Sequence, residues 1–153
     1  MEIYLMSIRN EPFEALLDGR KKHEFRRRFS RTSGRFQVVF YVSDPVRAIC
    51  GVGIFDKPIY DSIGRMKAIA RSHRFSSPEN IEKYFSGLER GYALPVRKIK
   101  RVGPIDLEEI RKTIEDFNPP QSYCRFPLQR FYKLLERVDL YDSPDEAVQR
   151  TLF

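Results

Sequence analysis

Cysteine and histidine are scarce here, two of each in 153 residues. Cys50 and Cys124 stand alone, without the Cys-x-x-Cys spacing of a zinc site. With only His23 and His73 beside them, no transition-metal centre is expected, and no cofactor. Unpaired cysteines of this kind fit a reducing, cytoplasmic setting. No apolar run approaches membrane-spanning length. The first residues, Met1–Ile8, have no basic n-region and start directly into a strand pattern, so a signal peptide is not expected. The sequence also has no Gly-x-Ser-x-Gly elbow and no phosphate-binding glycine loop. It has no helix-turn-helix pattern for reading DNA. Repeats, low-complexity tracts and long linkers are absent as well, so residues 1–153 read as one domain.

What the chain does have is a local excess of positive charge. Eight Lys or Arg lie between positions 20 and 35 (20, 21, 22, 26, 27, 28, 31 and 35), against one acid, Glu24. Their balance, 8 − 1 = +7, equals the net charge of the whole protein. The remainder of the chain is therefore neutral. A surplus confined to one hairpin-sized segment implies a local site for an anion rather than a generally adhesive surface. Twelve Phe and eight Tyr supply ample material for a core.

Hydrophobic periodicity gives an α+β order of elements. Ile3–Ile8 alternates as a strand. Asn10 reads as the cap of a short helix carrying Phe13, Leu16 and Leu17, and Gly19 as its left-handed stop. From Lys22 a strand pattern places Glu24 and Arg26 on one face, with His23 and Phe25 on the other. Residues 31–35 read as a loop, Phe36–Ser43 as a strong strand, Asp44-Pro45 as a turn, and Val46–Phe55 as the returning strand. Gly51 and Gly53 leave room on one side of it. Helices are expected over Ser62–Arg74 and from Ser77-Pro78. Tyr92–Val102 is extended, with Pro95 arguing for an edge or irregular position. A capped helix begins at Asp106 and runs to Phe117. A last helix spans Pro127–Val138, followed by a tail over 139–153 that forms one more turn or frays.

Gly19, Lys21, Glu24 and Arg26 match the Gly-x-Lys-x-x-Glu-x-Arg signature of the ASCH domain, a branch of the PUA-like superfamily. Tyr41-Val-Ser-Asp-Pro45, Gly91-Tyr92-Ala93, Pro104-Ile105-Asp106-Leu107 and Pro119-Pro120-Gln121-Ser122 resemble later landmarks of that domain. The resemblance covers roughly residues 3–135. It implies a small mixed β-barrel of five or six strands flanked by helices, with the signature lining a cationic cleft at the barrel mouth. It also implies an RNA or nucleotide partner. The superfamily includes both binding modules and small enzymes, so fold alone does not settle activity.

On this reading Lys21, Glu24 and Arg26 form the recognition cleft. A carboxylate between cations stays ionised and accepts from a base edge or ribose hydroxyl. Arg27, Arg28, Arg31 and Arg35 read as phosphate contacts, with Arg9 able to reach the same cleft. Gly19, Ser7, Tyr41, Ser43 and Tyr123 are the further pocket candidates, although Tyr41 alternates with core valines and Tyr123 either stacks a base or packs on the barrel. Arg97, Lys98, Lys100 and Arg101 either extend the phosphate track or form a solvated edge. His23 reads as a core histidine, and His73 as complementing a helix dipole. The alternative is a metal-independent enzyme on RNA or modified nucleosides, using Lys21 and Glu24 as acid and base. Small ASCH-like amidohydrolases carry a threonine where this chain has Glu24, which disfavours deacylation relative to RNA cleavage.

Overall fold

The computed structural model of the chain describes residues 1–142, so the turn expected from Ser143 lies outside the described residues. The strands are β1 (Glu2–Ile8), β2 (His23–Arg26), β3 (Phe36–Val42), β4 (Ala48–Phe55), β5 (Ile59–Ser62), β6 (Arg90–Asp106) and β7 (Tyr123–Arg125). The helices are α1 (Asn10–Leu17), α2 (Ile63–Ala70), α3 (Pro78–Tyr84), α4 (Leu107–Thr113) and α5 (Leu135–Val138), the last preceded by a 3-10 turn at Tyr132–Leu134. One curled mixed sheet runs in the order β2-β6-β4-β3-β1-β7, with β5 on β6. The pair β1–β3 is parallel and the other pairs are antiparallel. This is the α+β, PUA-like half-barrel that the sequence predicts, with β5 and β7 raising the strand count to seven.

Every residue of β3 and β4 is buried. Strands covered on both faces read as continuous apolar runs, as Phe36–Val42 does, instead of alternating. Inside the curl, Tyr4, Met6, Phe36, Phe40 and Phe55 pack with Phe13 and Leu16 of α1. On the outer face, Val39, Ile49 and Val52 meet Ile110, Phe131 and Val138. A third cluster joins Phe25 to Met66, Ile81 and Phe85, and so fixes α2 and α3 against β2.

The docking of α1 positions the signature. Its Phe13 is fully buried, a burial that contributes about 1.5–3 kcal/mol. A Cβ at Gly51 would lie 2.6 Å from that ring, so the bare backbone of β4 admits the helix. Gly19 then turns the chain at φ +81°, delivering Lys21 and Glu24 to the barrel rim.

Several local expectations fail for tertiary reasons. Asn10 is the first helical residue, and Arg9 takes the cap position without a side-chain bond. Pro95, by contrast, meets its expectation of an edge or irregular position: it sits inside the long β6, paired with His23 where that strand changes register against β4. The Ser62 helix stops at Ala70, four residues early, because the chain bends there to bury His73. The helix from Asp106, capped by its own carboxylate accepting from the Glu109 amide, ends at Thr113. The predicted last helix is only α5 and a 3-10 turn, although Phe131, Leu134 and Val138 are all buried as their spacing implied.

Candidate functional site

In the sheet order β2 lies at one end, with β1 and β7 at the other. The curl brings these ends together without a hydrogen-bonded ladder between β2 and β1, and side chains close the gap. Arg26 donates to the carbonyl of Ser7 at 2.9 Å and to the hydroxyl of Ser122 at 3.3 Å. Its guanidinium therefore ties β2 to β1 and to the Pro119–Ser122 loop. The same Nη2 donates to Glu24 Oε2 at 3.0 Å, and Lys21 Nζ donates to Oε1 at 2.5 Å.

Lys21 and Glu24 side chains are only 7% and 5% exposed, and Arg26 11%. Burial would push the Glu24 carboxyl up, but the charges of Lys21 and Arg26 and their hydrogen bonds outweigh it and hold the group below its usual range. The carboxylate is thus a fixed acceptor with both oxygens engaged. One N–H of the Lys21 ammonium is used on Glu24, which leaves donors for a ligand.

This triad lines a cavity of about 690 Å³, together with Arg9, Phe75, Asn80 and Tyr84. Phe75 comes from the segment after α2, and Asn80 and Tyr84 from α3. These three were not singled out by sequence reasoning, since nothing in their local pattern signals the rim they face. The Asn80 amide makes no side-chain bond among the described residues, whereas its backbone N–H is capped by Ser77. Lys21 Nζ lies 5.7 Å from the centre of the Phe75 ring. A cation, an open amide and aromatic walls in one hollow suit a nucleotide: charge for phosphate, amide for base edge, ring for base face.

A second cavity of about 410 Å³ shares Ser7, Ile8 and Arg9 with the first and adds Tyr41, Ser43, Arg47 and Pro119–Gln121. Ser7 and Ser43 hydroxyls are already committed, donating to the carbonyls of Pro120 and Ile8. Tyr41 is buried in the outer core while reaching this hollow. Arg47, at φ +51°, was missed in the sequence because it reads as an ordinary turn residue.

The basic run divides once folded. Arg20 pairs with Asp18, and Arg35 with Asp56. Arg27 donates to the carbonyls of Tyr84 and Ser86, closing the end of α3. Lys22, Arg28 and Arg31 are exposed and have no acidic partner among the described residues. Tyr123 packs on Phe29, with ring centres 4.9 Å apart, and its hydroxyl accepts from Ser30. Of the second cluster, Arg97 pairs with Asp56, Lys100 with Asp139 and Arg101 with Glu14, so most of it is a solvated, ion-paired edge. Among the described residues no three His, Cys, Asp or Glu side chains gather as metal ligands do.

His73 does not complement a helix dipole. It is buried and stacks on His23, with His23 Nδ1 and His73 Nε2 2.9 Å apart. One proton serves that contact, so two imidazolium rings would set donor against donor. Burial, then the charges of His23, Lys21 and Lys22, lower its pKa to about 4. Unfolded, it titrates near 6.5. Stability from the neutral ring is therefore present above pH 6.5 and lost progressively as pH falls towards 4. The expected loss is about 2–3 kcal/mol across that window. Urea titrations at pH 7.5 and pH 4.5 check this, because His73→Phe removes that component of the pH dependence. An unchanged slope would refute the assignment.

No family model matches the sequence. A curated relative from Zymomonas mobilis, named an ASCH domain-containing ribonuclease, is 25% identical over 131 residues, which is 86% of this chain and 88% of the relative. The crystal structure of ASCH from Zymomonas mobilis superposes with a TM-score of 0.79 at 24% identity, covering 88% of this chain and 94% of that one. A hypothetical protein from Leishmania major shares the fold more distantly, at TM-score 0.57 and 10% identity over 91% and 95% of the two chains. Among the described residues no helix is long and apolar enough to cross a membrane. The half-barrel and this relative agree with the resemblance to the ASCH domain family that Gly19, Lys21, Glu24 and Arg26 carry.

Proposed function

We propose that the chain is an RNA-binding ASCH module whose cleft takes a nucleotide against Lys21, Glu24 and Arg26. The observation that carries this reading is the buried Glu24 carboxylate, clamped between two cations in the wall of an open hollow that also offers Asn80 and Phe75. An ion pair with no ligand to serve gains little from such a position, since desolvation offsets most of its attraction. Lys21 supplies the phosphate contact, Asn80 reads a base edge, and Phe75 stacks. Arg9, Arg28 and Arg31 hold the flanking backbone.

RNA cleavage is the second reading, favoured by the name of the Zymomonas relative. It requires a base for the 2′-hydroxyl and an acid for the leaving oxygen. Lys21 has a proton to give, but Glu24, held ionised by its partners, is a weak proton acceptor.

Fluorescence anisotropy with single-stranded RNA at low salt tests binding. Asn80→Ala and Phe75→Ala, both at the accessible rim, are each expected to weaken it about tenfold, in line with ~1–3 kcal/mol per stacked base. Absence of binding by the unaltered protein would refute the module. Incubating labelled RNA with the protein and with Lys21→Met separates the two readings: strand scission abolished by the substitution means an enzyme, and intact RNA means a binder.

A further inference from the structure

A third cavity, of about 380 Å³, lies apart from the triad. Its walls include Tyr60 and Tyr92 with Pro58, and its cations are Arg31 and Lys57. The two tyrosine rings are 4.5 Å apart at 30°, and Tyr60 is 48% exposed, unusual for a large aromatic side chain. Arg90 lies 4.7 Å from the centre of the Tyr60 ring and donates to that residue's carbonyl. Arg90 does not itself line the cavity, whose aromatic wall is the Tyr60–Tyr92 pair. Neither Arg31 nor Lys57 has an acidic partner among the described residues, although Asp56 is adjacent to Lys57 in sequence and is taken by Arg35 and Arg97. Aromatic wall and free cations together match the two ends of a nucleotide.

Strand register links this cavity to the cleft. Arg26 on β2 is opposite Tyr92 on β6, and Tyr92 is opposite Tyr60 on β5. Residues directly opposite share a face of the sheet, so Arg26, Tyr92 and Tyr60 form one transverse row. Two strand spacings separate its ends, about 10 Å. Roughly three nucleotides stacked at ~3.4 Å cover that distance.

Resting on the RNA reading above, we infer that the Tyr60–Tyr92 cavity is a second subsite on the same face. It takes a nucleobase of the strand held in the Lys21–Glu24–Arg26 cleft, with Arg31 and Lys57 on that nucleotide's phosphates. The subsite extends the footprint of the protein from one nucleotide to a short single-stranded segment. Stacking tolerates any base, so this subsite adds affinity rather than sequence preference.

Anisotropy with fluorescein-labelled oligoadenylates of two and ten nucleotides tests it. Tyr60→Leu keeps an apolar side chain over Tyr92 and removes the aromatic face. It is expected to weaken the ten-mer about tenfold and leave the two-mer within about twofold, while Tyr60→Phe matches the unaltered protein. Lys57→Ala should lower the salt dependence of ten-mer binding by about one phosphate contact, a change Tyr60→Leu does not make. Equal ten-mer binding by Tyr60→Leu and the unaltered protein would overturn the subsite and leave the cleft reading standing. So would equal weakening of both oligomers. Failure of the unaltered protein to bind either one would overturn the RNA reading and the subsite with it.

Discussion

Glu24→Ala is expected to destabilise the protein by about 3–5 kcal/mol, because it strands the buried Lys21 ammonium without its counter-charge. Arg26 loses the same partner but keeps the Ser7 carbonyl, so most of the cost falls on the lysine. Urea denaturation at neutral pH measures it. A loss below 1 kcal/mol would mean the pair behaves as an exposed one and is not the buried device described above. The double variant Glu24→Leu with Lys21→Met removes both charges and should recover most of the lost stability, since paired apolar replacements of a buried ion pair are often neutral. It should nevertheless lose RNA binding, which separates what the pair does for the fold from what it does for a ligand. The acid limb of the stability curve follows from the same group. The Glu24 carboxyl is held below its ordinary range, so its contribution is present above about pH 4.5 and lost as pH falls through the folded value.

RNA affinity is expected to fall about fifty-fold between 50 and 200 mM salt. About four phosphate contacts on a single strand give a log–log slope near −2.8. The contact count comes from the fold rather than from the run of basic residues. The four are Lys21, which lines the cleft, and Arg9, Arg28 and Arg31, which are exposed and have no acidic partner among the described residues. Arg20, Arg35 and Arg27 are already engaged by Asp18, Asp56 and the carbonyls of Tyr84 and Ser86. Counting all eight basic residues of the segment would predict a slope near twice as steep. Anisotropy across the salt range distinguishes the two. A flat profile would mean that phosphate contacts do not hold the strand.

Much of the local structure was legible because its causes are local. Ser77 before Pro78, and Asp106 before Leu107, cap helices that begin where those residues stand. The unbroken apolar run Phe36–Val42 makes a central strand. β5 and β7 were not legible. They are four and three residues long, and each exists because β6 or β1 offers an edge to pair with. The spacing of Phe131, Leu134 and Val138 correctly marked buried positions, but a helical period does not oblige the backbone to stay helical through Pro127–Lys133.

The division at the candidate site follows the same line. Sequence alone determined that one acid sits among eight cations, and that Glu24 and Arg26, two apart on a strand, share a side. Only the tertiary structure decided which cations keep their charge free. It alone brought Phe75, Asn80 and Tyr84 to the rim, and it buried His73 against His23. The reason is physical: a period is set by neighbours in the chain, whereas the partner of a charge and the wall of a cavity come from residues distant along it.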